Sequence, residues 1–181
     1  MKKPLLFLLI TFLVTLNTFS QETKDSKPAI SRNHEIKLGA IKLLSGGIFE
    51  VSYEYILDTN QGFGAALLLN LDTGNQYVEN YSLTPFYRMY FQTKEDYGAK
   101  GFFVEGFVSF FGGKNYYYTY DMLNTIDDNF FDTSVGLSLG KKWINSAGFV
   151  FEFKVGAGRN LLNGSEFDAL FKGDLYIGYR F

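Results

Sequence analysis

One histidine and no cysteine in 181 residues leave little from which a nucleophilic or metal-assisted active site could be built. Ser45, Ser109 and Ser165 are candidate nucleophiles, but a serine hydroxyl needs a general base within hydrogen-bond reach, most often a histidine. The sole histidine, His34, stands where a polar lead-in gives way to patterned sequence, and a plain linker role competes with a catalytic one. Asp127 and Asp128 offer the oxygen ligands that calcium takes, yet adjacent acids in a polar stretch are ordinarily solvated charge. The glycines at 112–113 and at 156 and 158 could suggest a phosphate loop, but no helix follows to supply its dipole and free amides. The sequence therefore assigns no catalytic residue, no metal ligand and no cofactor.

Charge placement is more informative. Glu54, Arg88, Glu105, Lys142, Glu152, Lys154, Asp174 and Arg180 each fall in an alternating segment, on the parity opposite a row of aromatic and aliphatic residues. Residues 171–181 show the pattern: Phe171, Gly173, Leu175, Ile177, Tyr179 and Phe181 alternate with Lys172, Asp174, Tyr176, Gly178 and Arg180. In a strand, period two sends these sets to opposite faces. Across the connection at 92–101, setting Phe91 opposite Phe102 also sets Arg88 opposite Glu105 as a cross-strand pair. The interior of an eight-stranded barrel is just wide enough for side chains to fill, and charges held there need partners. Counting Lys37 with the others gives four acids against five bases, a balance that predicts a packed ionic plug in the lumen rather than a charge-selective channel.

Eight segments have strand character. In the first, 34–44, Ile36, Leu38, Ala40 and Leu44 share a face that Lys42 breaks, so a bulge near Gly39 or a lysine reaching into headgroups is expected. The second, 48–57, alternates cleanly. The third, 63–71, does so except that Leu68 falls on the polar side. The fourth, 81–91, carries Pro85, a residue usually kept to strand edges or bulges. The fifth, sixth and seventh are 102–111, 133–143 and 149–158, and the eighth is the stretch quoted above. Connections 58–62 and 145–148 are tight, while 72–80, 112–131 and 159–170 are long. The short 45–47 and the long 92–101 depart from strict short-long alternation. About ten residues per strand, tilted, rise roughly 25 Å, the height of the apolar band of an outer-membrane barrel. The expected fold is all-β: an eight-stranded antiparallel up-and-down transmembrane β-barrel over residues 34–181.

Residues 1–20 carry Lys2 and Lys3, an apolar run and a small polar end, and read as a signal peptide cleaved after Ser20. Residues 21–33, with Pro28 and no period, read as a flexible periplasmic lead-in. Without Lys2 and Lys3, 15 of the 17 basic residues remain against 19 acidic ones, a net charge of −4 that gives nucleic acid no purchase. Twenty Phe, 13 Tyr and 19 Gly with 3 Pro fit a barrel with aromatic girdles and a crowded interior. The competing architecture is a soluble periplasmic lipocalin-like barrel, whose small lumen would have to hold Phe49, Tyr53, Tyr55, Phe103, Phe149, Phe151, Phe153 and their neighbours.

The chain resembles small bacterial outer-membrane β-barrels of the OmpA/OmpX shape. The likeness is carried by Phe49 to Leu57 (FEVSYEYIL), Thr84 to Phe91 (TPFYRMYF), Gly101 to Gly106 (GFFVEG), Gly140 to Trp143 (GKKW) and Gly156 to Asn160 (GAGRN). It implies fold and location, because those barrels carry no assigned reaction. Phe181 at the end of the last strand likewise resembles the signal that barrel insertion machinery reads. Expected partners are outer-membrane lipid, that machinery and an unidentified extracellular ligand. Tyr116, Tyr117, Tyr118 and Tyr120 lie in the longest outer connection, where tyrosine makes a good contact surface; a girdle or strand-extension role competes. The expected function is a non-enzymatic outer-membrane barrel with a structural or surface-interaction role, with a narrow pore or small-molecule carrier as the rival.

Overall fold

The computed structural model describes residues 32–72, 77–91, 98–117, 126–165 and 167–181. The expected signal peptide and residues 21–31 of the lead-in lie outside them.

The chain runs through β1 (His34–Gly39), a short helix α1 (Ala40–Gly46), β2 (Ile48–Ile56), β3 (Gln61–Asn70), β4 (Tyr81–Phe91), β5 (Gly101–Tyr117), β6 (Ile126–Ile144), β7 (Phe149–Asn160) and β8 (Ala169–Arg180). Each strand is antiparallel to the next, and β8 returns to β1 to close an eight-stranded barrel. Closure sets Ile36 opposite Tyr179 and Leu38 opposite Ile177. Below them His34 and Phe181 exchange backbone hydrogen bonds of 3.2 and 2.8 Å. The all-β, up-and-down architecture is the one the alternation predicts.

Polarity is inverted relative to a water-soluble fold. Arg88 and Glu54 are wholly buried, whereas Leu137 is 64% and Phe171 76% exposed. Strict alternation produces this: along β4 every second residue from Ser82 to Tyr90 is buried and every residue between is exposed. Phe149, Phe151 and Phe153, which a lipocalin-like barrel would have to hold inside, face outward.

Three corrections concern the ends and one ladder. The first strand stops at Gly39 and the chain turns into α1, so the break at Lys42 is neither a bulge nor a lysine reaching outward. The Asp174 carboxylate on β8 accepts the amides of Ile41 and Lys42, which the first helical turn leaves without partners. Gly47 closes the helix at φ 67°, a left-handed conformation that glycine adopts without strain. Second, most of the connection expected over 112–131 is strand. β5 and β6 pair from Gly101↔Lys142 out to Tyr117↔Ile126. β4 leaves β5 at Gly112 and β7 leaves β6 at Ser134, so a two-stranded ribbon continues alone. Third, Pro85 sits within β4 without a bulge: the β4–β5 ladder lacks pairs at Thr84 and Pro85, where proline has no amide hydrogen, and resumes in the same register.

Glycines make room for interior rings. A Cβ on Gly64 would lie 2.7 Å from Phe86 Cζ, and one on Gly136 2.5 Å from Phe107 Cζ. At Gly140 it would meet the Phe103 ring and lie 2.5 Å from the Phe153 carbonyl oxygen. Aromatic side chains thus fold over bare backbone on neighbouring strands, a device that also stabilises designed sheets.

Both ends of the lumen carry apolar layers. At the end bearing His34 and Phe181, the last part of the 92–100 connection tucks inward: Ala99 is fully buried against Ile56, Tyr90 and Phe103. Its amide donates to Thr59 O at 2.6 Å, which accounts for the unusual length of that turn. At the opposite end Phe111, Phe130 and Leu170 pack together, with Val78 against them.

Candidate functional site

Between the two apolar layers lies an ion-paired centre to which every strand except β3 contributes. Arg88 organises it. Its Nε donates to Glu105 Oε2 at 2.5 Å, the cross-strand pair expected from the 92–101 register. Its Nη1 donates to Glu54 Oε2 at 2.8 Å and to Glu152 Oε2 at 2.7 Å, and its Nη2 to Glu152 Oε1 at 2.9 Å. The guanidinium also lies 4.6 Å from the Phe86 ring centre and 4.4 Å from that of Phe103. A planar, permanently charged fork can satisfy three carboxylates and two aromatic faces together, which an ammonium cannot.

Glu54 is the matching anion. It accepts from Lys37 at 2.6 Å, Arg88 at 2.8 Å and Lys142 at 2.9 Å, and from the Tyr90 hydroxyl. Lys37 also reaches Glu152 at 2.7 Å, and Lys142 reaches Glu35 at 2.7 Å. Arg180 pairs with Glu35 and donates to Gly98 O at 2.8 Å and Ala99 O at 2.9 Å, pinning the inward loop. Lys154 holds Glu105 at 3.0 Å with its ammonium 5.2 Å from the Tyr176 ring centre. So dense a set, with nearly every charge paired, meets the condition under which buried ions are tolerated.

Of the eight charges singled out from sequence, seven meet here; Asp174 does not. It faces inward but caps α1, because β8 carries it past the centre to the level where the helix begins. Glu35 belongs to the centre and was legible as the residue before Ile36 on the polar parity. Nearer α1 a second group forms: Lys42 donates to Glu50 at 2.5 Å, and the Tyr176 hydroxyl to Glu50 at 2.8 Å. Lys172 reaches Glu79 at 2.8 Å. Glu79 lies outside any alternating run and Lys42 falls on the apolar parity of the first one, so periodicity could place neither inside. Beside them in the 71–80 connection, burial pushes the Tyr77 phenol up, and the Glu79 carboxylate adds to the effect.

The strand count and the order of the strands can be set beside known structures. The N-terminal β-barrel domain of Pseudomonas aeruginosa OprF superposes with a TM-score of 0.53 at 14% identity, over 83% of this chain and 98% of that domain. The fold is that of an OmpA-type barrel. No protein-family model matches the sequence, and no curated protein matches it significantly. The likeness is therefore one of chain path, and the chemistry of this OmpA-type barrel has to be read from its own residues.

At its rims the picture is structural. His34 Nδ1 lies 2.7 Å from the Tyr53 hydroxyl, and its ring stacks on Phe181 at 5.8 Å. Ser109 shares a hydrogen bond of 2.8 Å with Thr84 inside the barrel, and Ser165 donates to Asp132 at 3.2 Å at the far rim. His34 thus stands beside none of the three candidate serines. Asp132 holds the 161–168 connection: besides Ser165 it accepts the amides of Leu162 at 3.0 Å and Gly164 at 3.0 Å. Tyr116 and Tyr117 lie in the β5–β6 ribbon, opposite Asp127 and Ile126. Tyr118 and Tyr120 fall outside the described residues.

Proposed function

We propose that the chain is a non-enzymatic integral outer-membrane protein: a closed barrel that anchors its α1-side connections and the β5–β6 ribbon at the cell surface, where they serve a structural or surface-interaction role. The termini then face the periplasm. The observation that carries this reading is the inverted polarity, with charge packed inside and a continuous phenylalanine, leucine and valine belt outside. Such a surface suits hydrocarbon, because in a closed sheet each strand pairs its backbone with neighbours on both sides, the gap at Thr84 and Pro85 apart. Outer-membrane lipid and the barrel insertion machinery are the partners this implies, and the ribbon's tyrosines are the best candidates to meet an extracellular ligand.

An anchor rather than a pore is favoured by the density of ion pairs between two apolar layers. The test is direct. Fractionation should recover the mature protein with the outer membrane, and the folded form should migrate differently from the boiled form on a detergent gel. Recovery in the soluble periplasm would sink the location. In planar bilayers the intact barrel should show no stable unitary conductance; well-defined channel steps would favour the pore.

A further inference from the structure

The outward face of this barrel has few cations, and they differ in what engages them. At the rim near the termini, Lys141 lies 4.6 Å from the Phe102 ring centre and 5.2 Å from that of Trp143, and Arg32 donates to Ala147 O at 2.9 Å. At the other end the side chain of Arg159, the last outward position of β7, makes no hydrogen bond, ion pair or ring contact among the described residues. It is flanked across the ladders by Val135 and Ala169. One step toward the barrel middle Ala157 lies between Leu137 and Phe171.

These residues enclose a surface groove. Val135, Leu137, Ala157 and Ala169 line it, with Arg159 and Asp168 at its mouth. The two charged side chains do not pair with each other. The floor is low because Ala157 and Ala169 project little, while Phe171 beside them is the most exposed apolar side chain of the belt. An apolar furrow within the belt, opening where the belt ends on a guanidinium that is unpaired among the described residues, has the shape to take a lipid: acyl chain below, anionic headgroup against Arg159 above. Guanidinium presents paired donors that match a phosphate's oxygens. A cation beside hydrocarbon without a paired anion is costly; Asp168 at the mouth does not pair with Arg159, and a lipid phosphate can.

We infer that this groove is a binding site for a phosphorylated lipid of the outer leaflet, Arg159 holding the phosphate and the furrow over Ala157 and Ala169 holding an acyl chain. The inference rests on the outer-membrane reading above. Its test uses the full mature chain refolded into nanodiscs of phosphatidylcholine with a minor fraction of diphosphoryl lipid A, followed by native mass spectrometry of the released barrel. Wild type should retain lipid A in preference to phosphatidylcholine. Arg159→Gln should lower that retention about five-fold, the effect of one basic group near an anionic surface. Leu137→Trp, which fills the furrow without touching the charge, should lower it as well, and Lys141→Gln at the opposite rim should not. Heat-modifiable migration checks that each variant is folded. A barrel that enters the discs but retains lipid A equally well after Arg159→Gln, or loses it equally after Lys141→Gln, overturns this site alone. A chain that stays in buffer and never enters the discs overturns the membrane reading, and the site with it.

Discussion

Single side chains in the lumen carry very unequal weight, and the count of partners says which matter. Glu54 faces Lys37, Arg88 and Lys142 together with the Tyr90 hydroxyl. Glu54→Ala should therefore take a carboxylate from three buried cations at once, leaving Lys37 to Glu152, Arg88 to Glu105 and Glu152, and Lys142 to Glu35, and cost about 3 to 5 kcal/mol, read as a shifted midpoint in urea titrations of the refolded barrel. Glu105→Ala should cost less, about 1.5 to 3 kcal/mol, because Arg88 keeps Glu54 and Glu152 and the chief loser is Lys154. Equal losses in the two variants would show that the centre does not act as the geometry describes. The Arg88–Glu105 pair itself was legible from one hairpin register. Its further carboxylates were not, since Glu54 and Glu152 come from strands that no hairpin joins to β4, and only closure of the sheet brings them within reach.

Elements were legible wherever alternation ran unbroken and opaque where it stopped. β2, β4, β7 and β8 follow period two, and parity alone assigns their inward and outward faces. The end of β1 could not be read this way, because what turns the chain at Gly39 is Asp174 on β8, distant in sequence, meeting the first amides of α1. The extension of β5 and β6 was hidden for a different reason: tyrosine, asparagine and aspartate in that stretch suit loop and strand alike, and only mutual pairing decides. Element-scale predictions turn on glycine. Gly47→Ala should cost about 1 kcal/mol, the penalty for a side chain at a left-handed helix end, without altering the barrel's gel migration. Gly140→Ala should cost about 1 to 3 kcal/mol, since the new methyl meets the Phe103 ring and a backbone oxygen. Adding Phe103→Leu should restore only the share owed to the ring. Full recovery would mean the backbone contact is harmless.

For the molecule as a whole, the distribution of ion pairs along the barrel axis matters most. Glu35 and Lys37 open β1, Glu54 closes β2, Arg88 closes β4, Glu105 opens β5, Lys142 closes β6, Glu152 and Lys154 open β7 and Arg180 closes β8. All of these lie toward the end that carries His34 and Phe181. The α1 end depends instead on smaller, separate groups: Lys42 with Glu50, Asp132 with its loop amides, and the Phe111, Phe130 and Leu170 layer. Grafting a polar glycine-serine stretch of equal length in place of residues 118–125 should accordingly leave the urea midpoint within about 0.5 kcal/mol of wild type, whereas a similar graft over 92–100 should unseat Ala99 and Arg180 and be strongly destabilising. A shift of the same size in both would contradict this division. In evolutionary terms, the division frees one rim from the other. Descendants of such a chain can vary the α1 end with little penalty in folding, while drift at the opposite rim is checked by a mesh of charges in which few members can change alone.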